Sequence, residues 1–196
     1  VVIVEKDQLR VNRFFLPGMP VVLVGAMVDG RVNFMTVAFV GQVNFSPPML
    51  GISIGDHATR DAILKTRQFS VNVPSRGLLK RVDLMGLVSG RERDKSKVFN
   101  VSFGRLPMAP FAEECPVNVG LTVKHTLELP GDVLFVGLVE EVLVDRQALY
   151  QDGLVDVSKV DPFFLSMPDN IYWSLGGQCG AAWHDGLPLR DSVPGL

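Results

Sequence analysis

Two long apolar arms, Val117–Leu129 and Val133–Val144, flank the tripeptide Pro130-Gly131-Asp132, and this stretch constrains the fold more than any other. Both arms are rich in Val, Leu and Thr, side chains that suit a pleated and half-buried surface, and the residues between them are turn formers. A hairpin of this length cannot stand alone in water. Its apolar faces must be covered by further strands or by helices.

The rest of the chain supplies such partners. Val21–Val28 is a continuous run of β-branched and aliphatic residues closed by Asp29-Gly30, and a second run extends from Asn33 to Val43. Their spacing predicts a hairpin across Asp-Gly-Arg-Val with a loop longer than two residues. Met49–Ile54 sets Leu50, Ile52 and Ile54 against Gly51, Ser53 and Gly55, the period of a half-buried strand. Phe69–Val73 reads as a short strand stopped by Pro74. Helices are few and short. One is expected over Ala58–Thr66, and another over Arg76–Met85, capped by Ser75 and carrying the stripe Leu78, Leu79, Val82 and Met85. Long strands, tight turns and short helices predict a closed antiparallel barrel, because closure removes sheet edges. Strands do not alternate with long helices, which disfavours a doubly wound parallel sheet. No repeat or linker divides the 196 residues, so one domain is expected over 1–196, with a C-terminal tail from about 160.

Composition removes several classes of function. Nineteen Lys and Arg against 21 Asp and Glu give a net charge of −2, which is no electrostatic footprint for nucleic acid. With 47% hydrophobic and 20% charged residues, the chain is not globally disordered. Its longest apolar run, Val21–Val28, falls far short of the roughly 20 residues of a membrane-spanning helix, so no membrane association is expected. No cationic segment followed by an apolar one opens the chain, and the expected compartment is the cytoplasm. Walker, dinucleotide-fingerprint and nucleophile-elbow motifs are absent, as are C-x-x-C and H-x-x-x-H spacings. His57, His125 and His184 are scattered and read as surface or hydrogen-bonded residues, and Cys115 and Cys179 as buried, inert thiols.

Three segments carry candidate ligand chemistry, each beside a plain structural reading. In Asn33-Phe34-Met35-Thr36-Val37-Ala38-Phe39, Thr36 and Ala38 share a strand face, where a small residue beside a hydroxyl leaves the backbone open to a flat ligand; the plain reading is an ordinary barrel strand. His57-Ala58-Thr59-Arg60 opens a helix and combines a hydroxyl, a guanidinium and free N–H groups, a seat for phosphate or simply a cap. Ser89-Gly90-Arg91-Glu92-Arg93-Asp94-Lys95-Ser96-Lys97 concentrates four cations in one polar stretch, an anion-binding loop or a solvated surface.

In order and spacing these segments resemble the flavin reductase-like, FMN-binding split-barrel family, in its flavoredoxin-type branch. The matching residues begin with Pro20-Val21-Val22-Leu23-Val24, Asn33-x-Met35-Thr36, Gly41-Gln42-Val43 and Ser46-Pro47-Pro48-Met49. They continue through Thr66-x-x-Phe69-Ser70-Val71-Asn72-Val73-Pro74 and Gly86-x-x-Ser89-Gly90-Arg91-x-x-Asp94-Lys95. Cys115-Pro116-Val117-Asn118, Gly131-Asp132-x-x-Phe135-x-Gly137 and Tyr172-Trp173-Ser174-Leu175-Gly176 complete the match, which spans about residues 9 to 180. The chain departs from the family pattern at Arg67-Gln68, where Gly-Glu is frequent, and at Val133, where His is frequent.

The resemblance implies a six-stranded antiparallel split barrel, a homodimer, and non-covalent FMN near the subunit interface. It places Asn33, Met35, Thr36 and Ala38 along the flavin ring, and Thr59, Arg60, Ser89 and Lys95 at the phosphate. Three functions are compatible with it. The first is an enzyme passing electrons from NAD(P)H through flavin to a small-molecule or protein acceptor. The second is an FMN electron carrier without its own nicotinamide specificity, and the third is a binding module on the same barrel that has lost flavin. Phe163-Phe164 and Tyr172-Trp173, in the tail, are expected to line the dimer interface or to pack on the chain's own barrel.

Overall fold

The computed structural model describes residues 4–190; residues 1–3 and 191–196, the last part of the expected tail, lie outside them. In chain order the first elements are β1 (Met19–Pro20), β2 (Val22–Val28), β3 (Arg31–Val37), β4 (Val40–Asn44), β5 (Met49–Ile54), α1 (Ala58–Thr66) and β6 (Gln68–Val73). They are followed by α2 (Leu79–Leu87), β7 (Val101–Phe103), β8 (Pro110–Ala112), β9 (Val117–Glu128) and β10 (Val133–Val144). The tail holds α3 (Val157–Val160), β11 (Phe163–Ser166), β12 (Ile171–Ser174) and α4 (Leu187–Arg190).

The main sheet has seven strands in the order β3-β2-β6-β9-β10-β5-β4, with every neighbouring pair antiparallel. Its two edge strands, β3 and β4, follow each other in the chain and are joined by Ala38-Phe39 alone. A sheet whose edges are linked so tightly has to curl on itself without a ladder between those edges. That is a split barrel, with one strand more than the six expected. The extra strand arises because the Asn33–Val43 run, read as continuous, breaks at Ala38-Phe39. The residues before the break are half or fully buried, whereas β4 is almost wholly exposed.

Two local expectations change. The β2–β3 loop has only two residues, Asp29 (φ 49) and Gly30 (φ 78), with Val28 paired to Arg31. Positive φ at both positions matches the twist of the flanking strands, so Arg31 and Val32 are drawn into the ladder. The second helix does not begin at Arg76 under a Ser75 cap. Residues Arg76–Leu78 form a 3-10 turn, the Ser75 side chain makes no cap bond, and the α-helix runs from Leu79 to Leu87.

Strand β2 is covered on both faces. Val22, Val24, Ala26 and Val28 enter the barrel interior with Ile52, Phe69, Leu121, Phe135 and the Ala58, Ala62 and Ile63 face of α1. Val21 and Leu23, on the other side, join Phe34, Phe99, Phe163 and the Val82 and Met85 face of α2. Burial on both faces is why this segment reads as an unbroken apolar run rather than an alternating one. The tail closes the second core. β11 pairs with β1, Phe163 packs edge-on against Tyr172 at 5.4 Å, and the Tyr172 hydroxyl donates to Asp83 of α2 at 2.7 Å. Phe163 and Tyr172 therefore pack on their own chain, and residues 175–189 are exposed. No helix among the described residues is long and apolar enough to cross a membrane.

A buried polar cluster pins β8 to the barrel. Asn72 Nδ2 donates to the Leu23 carbonyl at 3.0 Å and to Ser70 Oγ at 2.9 Å. Its Oδ1 accepts from the Ala112 amide at 3.1 Å and from Asn118 Nδ2 at 2.8 Å. Replacing Asn72 by Leu orphans several of these groups at once, and is expected to lower unfolding stability by about 3 kcal/mol. The midpoint of a urea transition at unchanged slope measures this.

Candidate functional site

The ends of two helices face each other across the edge strand β3. Helix α1 starts at Ala58 after His57, which is extended (φ −134, ψ 153) and gives no side-chain cap to the first turn. The first amides of α1 thus lack the side-chain acceptor that normally covers them. Opposite them lies the C-terminal end of α2 from Met85, followed by the returning segment Ser89–Lys95. Between these parts is a cleft of about 180 Å³, lined by Met35, His57, Ala58, Thr59, Gly86, Ser89, Gly90, Lys95 and the adjoining α2 residues.

Lys95 is only 4% exposed. Its Nζ donates to the carbonyls of Met85 at 3.1 Å and Val88 at 3.0 Å, groups that a helix C-terminus leaves without internal partners. No carboxylate pairs with it among the described residues, and burial pushes its pKa down to about 8. An ammonium has three donors, so two are spent on α2 and one is free for a ligand. Thr59, 2% exposed, accepts from Asn33 Nδ2 at 2.9 Å through its Oγ1, which keeps its own proton to donate. Gly90 lies so close to the Asn33 amide that a Cβ would have no room.

The eight residues singled out from sequence divide in space. Met35, Thr59, Ser89 and Lys95 line one cleft, and Asn33 stands directly behind Thr59. Thr36 donates its hydroxyl to the Val82 carbonyl and packs behind Gly86, so it ties β3 to α2 instead of facing the cleft. Ala38 belongs to a separate groove with Phe14, Phe15, Met19 and Phe39. Arg60 does not reach the cleft either. Its Nη2 bonds Asp56 at 2.8 Å and Asp61 at 3.2 Å, and Arg91 Nη2 bonds the same two carboxylates at 2.8 Å each. Hydrogen bonds from Arg91 are the leading reason that the Asp56 and Asp61 carboxyls are held below their usual range.

Sequence reasoning gave no site role to His57 or Gly90, although both lie in the segments it singled out, and none to the carbonyls at the end of α2. The carbonyls leave no trace in residue identity. Cys115 is buried and its thiol is pushed up to about 12 by that burial, as befits an inert side chain, whereas Cys179 is exposed. No group of three or more His, Cys, Asp or Glu residues among those described could hold a metal ion.

The chemistry of this cleft is that of an anion seat with an apolar flank. An uncompensated ammonium, a donating hydroxyl and the start of a nine-residue helix converge there, with the Met35 side chain beside them. The flavin reductase like domain family matches residues 17–158, and the chain belongs to that family. Among solved structures, it is 42% identical to a flavoredoxin from Methanosarcina acetivorans, with a TM-score of 0.92 over 95% of this chain and 100% of that one. A flavoredoxin of Desulfovibrio vulgaris (Miyazaki F) is 29% identical, with a TM-score of 0.86 over 92% of this chain and 100% of that one. An FMN-binding protein from Thermus thermophilus is 26% identical, with a TM-score of 0.74 over 92% of this chain and 99% of that one.

Proposed function

We propose that this protein holds FMN non-covalently and carries electrons from NAD(P)H through it to a second acceptor, as a flavin reductase-like oxidoreductase. The observation that carries this reading is Lys95, a buried ammonium without a carboxylate, sharing a cleft with the Thr59 hydroxyl and the uncapped start of α1. The residues fit the phosphate end of the cofactor. Lys95 opposes a charge of about −1.5 to −2, Thr59 and Ser89 supply hydroxyls, and the first-turn amides of α1 supply N–H donors. Arg60 is spent on Asp56 and Asp61, so the phosphate role falls to the other three side chains, and Arg60 secures the helix start. Thr36 likewise supports the site from behind by fixing β3 to α2. Bound flavin would supply hydride and electron transfer, chemistry that belongs to the cofactor, while the protein orients it and sets its electrostatic surroundings.

A second reading, an FMN electron carrier reduced by a partner protein and not by nicotinamide, draws support from the likeness to two flavoredoxins. Rapid mixing with NADH or NADPH separates the two. Bleaching of the flavin band on mixing marks the reductase, and reduction only through a partner reductase marks the carrier. Purified protein that is colourless and takes up no added FMN would overturn both.

The pKa of Lys95 gives a pH test. Free, the group titrates near 8; a phosphate beside it favours the charged form and raises that value, so binding takes up a proton once the free amine is neutral. FMN affinity is therefore expected to rise through about pH 6, where the phosphate takes on its second charge, to stay level between about pH 7 and pH 8, and to fall as pH rises further. Lys95→Met should cost roughly 1–3 kcal/mol of binding at pH 7 and flatten the upper limb of that profile in a fluorescence titration.

We also infer a homodimer. Strand β4 is an open edge of the main sheet, with Val43 53% exposed on it and Phe45, just beyond its end, 92% exposed. A bare apolar edge invites a second chain. Sedimentation at micromolar concentration is expected to give a dimer, and the double substitution Val43→Glu with Phe45→Glu a folded monomer.

A further inference from the structure

The segment that carries Ser89 and Lys95 is held down at three places. Near its start, Gly90 packs on the Asn33 amide with no space for a side chain. At its end, the Lys95 ammonium is anchored on two α2 carbonyls. Between them, Arg91 uses one nitrogen to bond Asp56 Oδ1 and Asp61 Oδ2, both at 2.8 Å. The first two attachments rest on the buried side chains of Asn33 and Lys95, but the third is an ion network on the surface.

Size gives this third attachment a role. Ligand sites generally enclose about 300–1,000 Å³. The cleft under the segment has about 180 Å³, which admits the phosphate end of a ligand but not a whole nucleotide. Ala58 and Gly90 separate it from a second cleft of about 620 Å³, and Arg91 and Asp61 stand in the wall of that larger space. The residues common to both clefts are thus two of the smallest, and part of the ion network stands beside them.

We propose that Ser89–Lys95 is a strap across the cleft and that Arg91 is its latch, a positioning residue that sets how fast a phosphorylated ligand enters and leaves. The identity of that ligand rests on the proposed function. A guanidinium suits a latch because it stays charged at any working pH, and here a single terminal nitrogen of Arg91 already reaches both carboxylates. Exposed ion pairs are individually weak and screened by salt, so this one can open repeatedly while Lys95 keeps the strap anchored.

Two measurements on the full chain test the latch, using Arg91→Ala and Arg91→Lys. The first is hydrogen–deuterium exchange without flavin. Amides of the strap are expected to exchange several-fold faster in Arg91→Ala, less so in Arg91→Lys, with the barrel unchanged. The second is stopped-flow mixing with FMN, in which Arg91→Ala should speed both association and release by roughly three- to tenfold, moving the rates more than the dissociation constant. Unchanged strap exchange overturns the latch whether or not flavin binds. Faster exchange with unchanged FMN rates overturns its control of ligand entry. Failure of the wild-type chain to bind FMN overturns the reading of the cleft, and the exchange experiment still decides the latch.

Discussion

Strand β2 is the member on which the architecture rests, because it is the wall shared by two cores. Its even-numbered side chains face the barrel interior together with α1, while Leu23 and the preceding Val21 face α2 and the tail hairpin. One strand thus sets the height of both helices relative to the sheet. The helices lie on opposite faces, so their ends can approach each other only past a sheet edge, and β3 is that edge. The cleft forms where they do so. Its position follows from packing in two separate cores, neither of which contributes a polar group to it.

The electrostatics of the cleft follow from the same arrangement. The end of α2 presents carbonyls that need a donor, and the start of α1 presents amides that need an acceptor. Lys95 satisfies the first without cancelling its own charge, since a carbonyl is a dipole and not an anion. The result is a cation kept dry and uncompensated beside a row of donors, which is costly for the empty site and favourable once an anion arrives. The neighbouring arginines take the opposite course. Arg60 and Arg91 are paired with Asp56 and Asp61, so their charge is spent beside the cleft and not in it.

Much of the fold was legible because the relevant signals are local. The β9–β10 hairpin, β5 and α1 fall within a residue or so of where their patterns put them, since alternation, β-branching and turn residues act over a few positions. The breaks in that legibility are also physical. Nothing in Asn33–Val43 marks the corner at Ala38-Phe39, which exists because a curled sheet must change direction between its edges. The 3-10 entry to α2 depends on where the chain returns from β6, and the hairpin in the tail depends on β1 as a template.

For the site, residue types and their order pointed to a phosphate seat and named Thr59, Ser89 and Lys95, which do converge. The same reasoning gave Thr36, Ala38 and Arg60 equal standing, although one hydroxyl is taken by Val82, one small side chain faces another groove, and one guanidinium is held by two aspartates. Sequence by itself determined the long central strands and the barrel class, and it named candidate ligand groups, because hydrophobic period and functional groups are properties of residues. Tertiary structure alone decided which of those groups are free. A side chain's availability depends on partners far away in the chain, and the two carbonyls that hold Lys95 belong to the backbone, where residue identity says nothing.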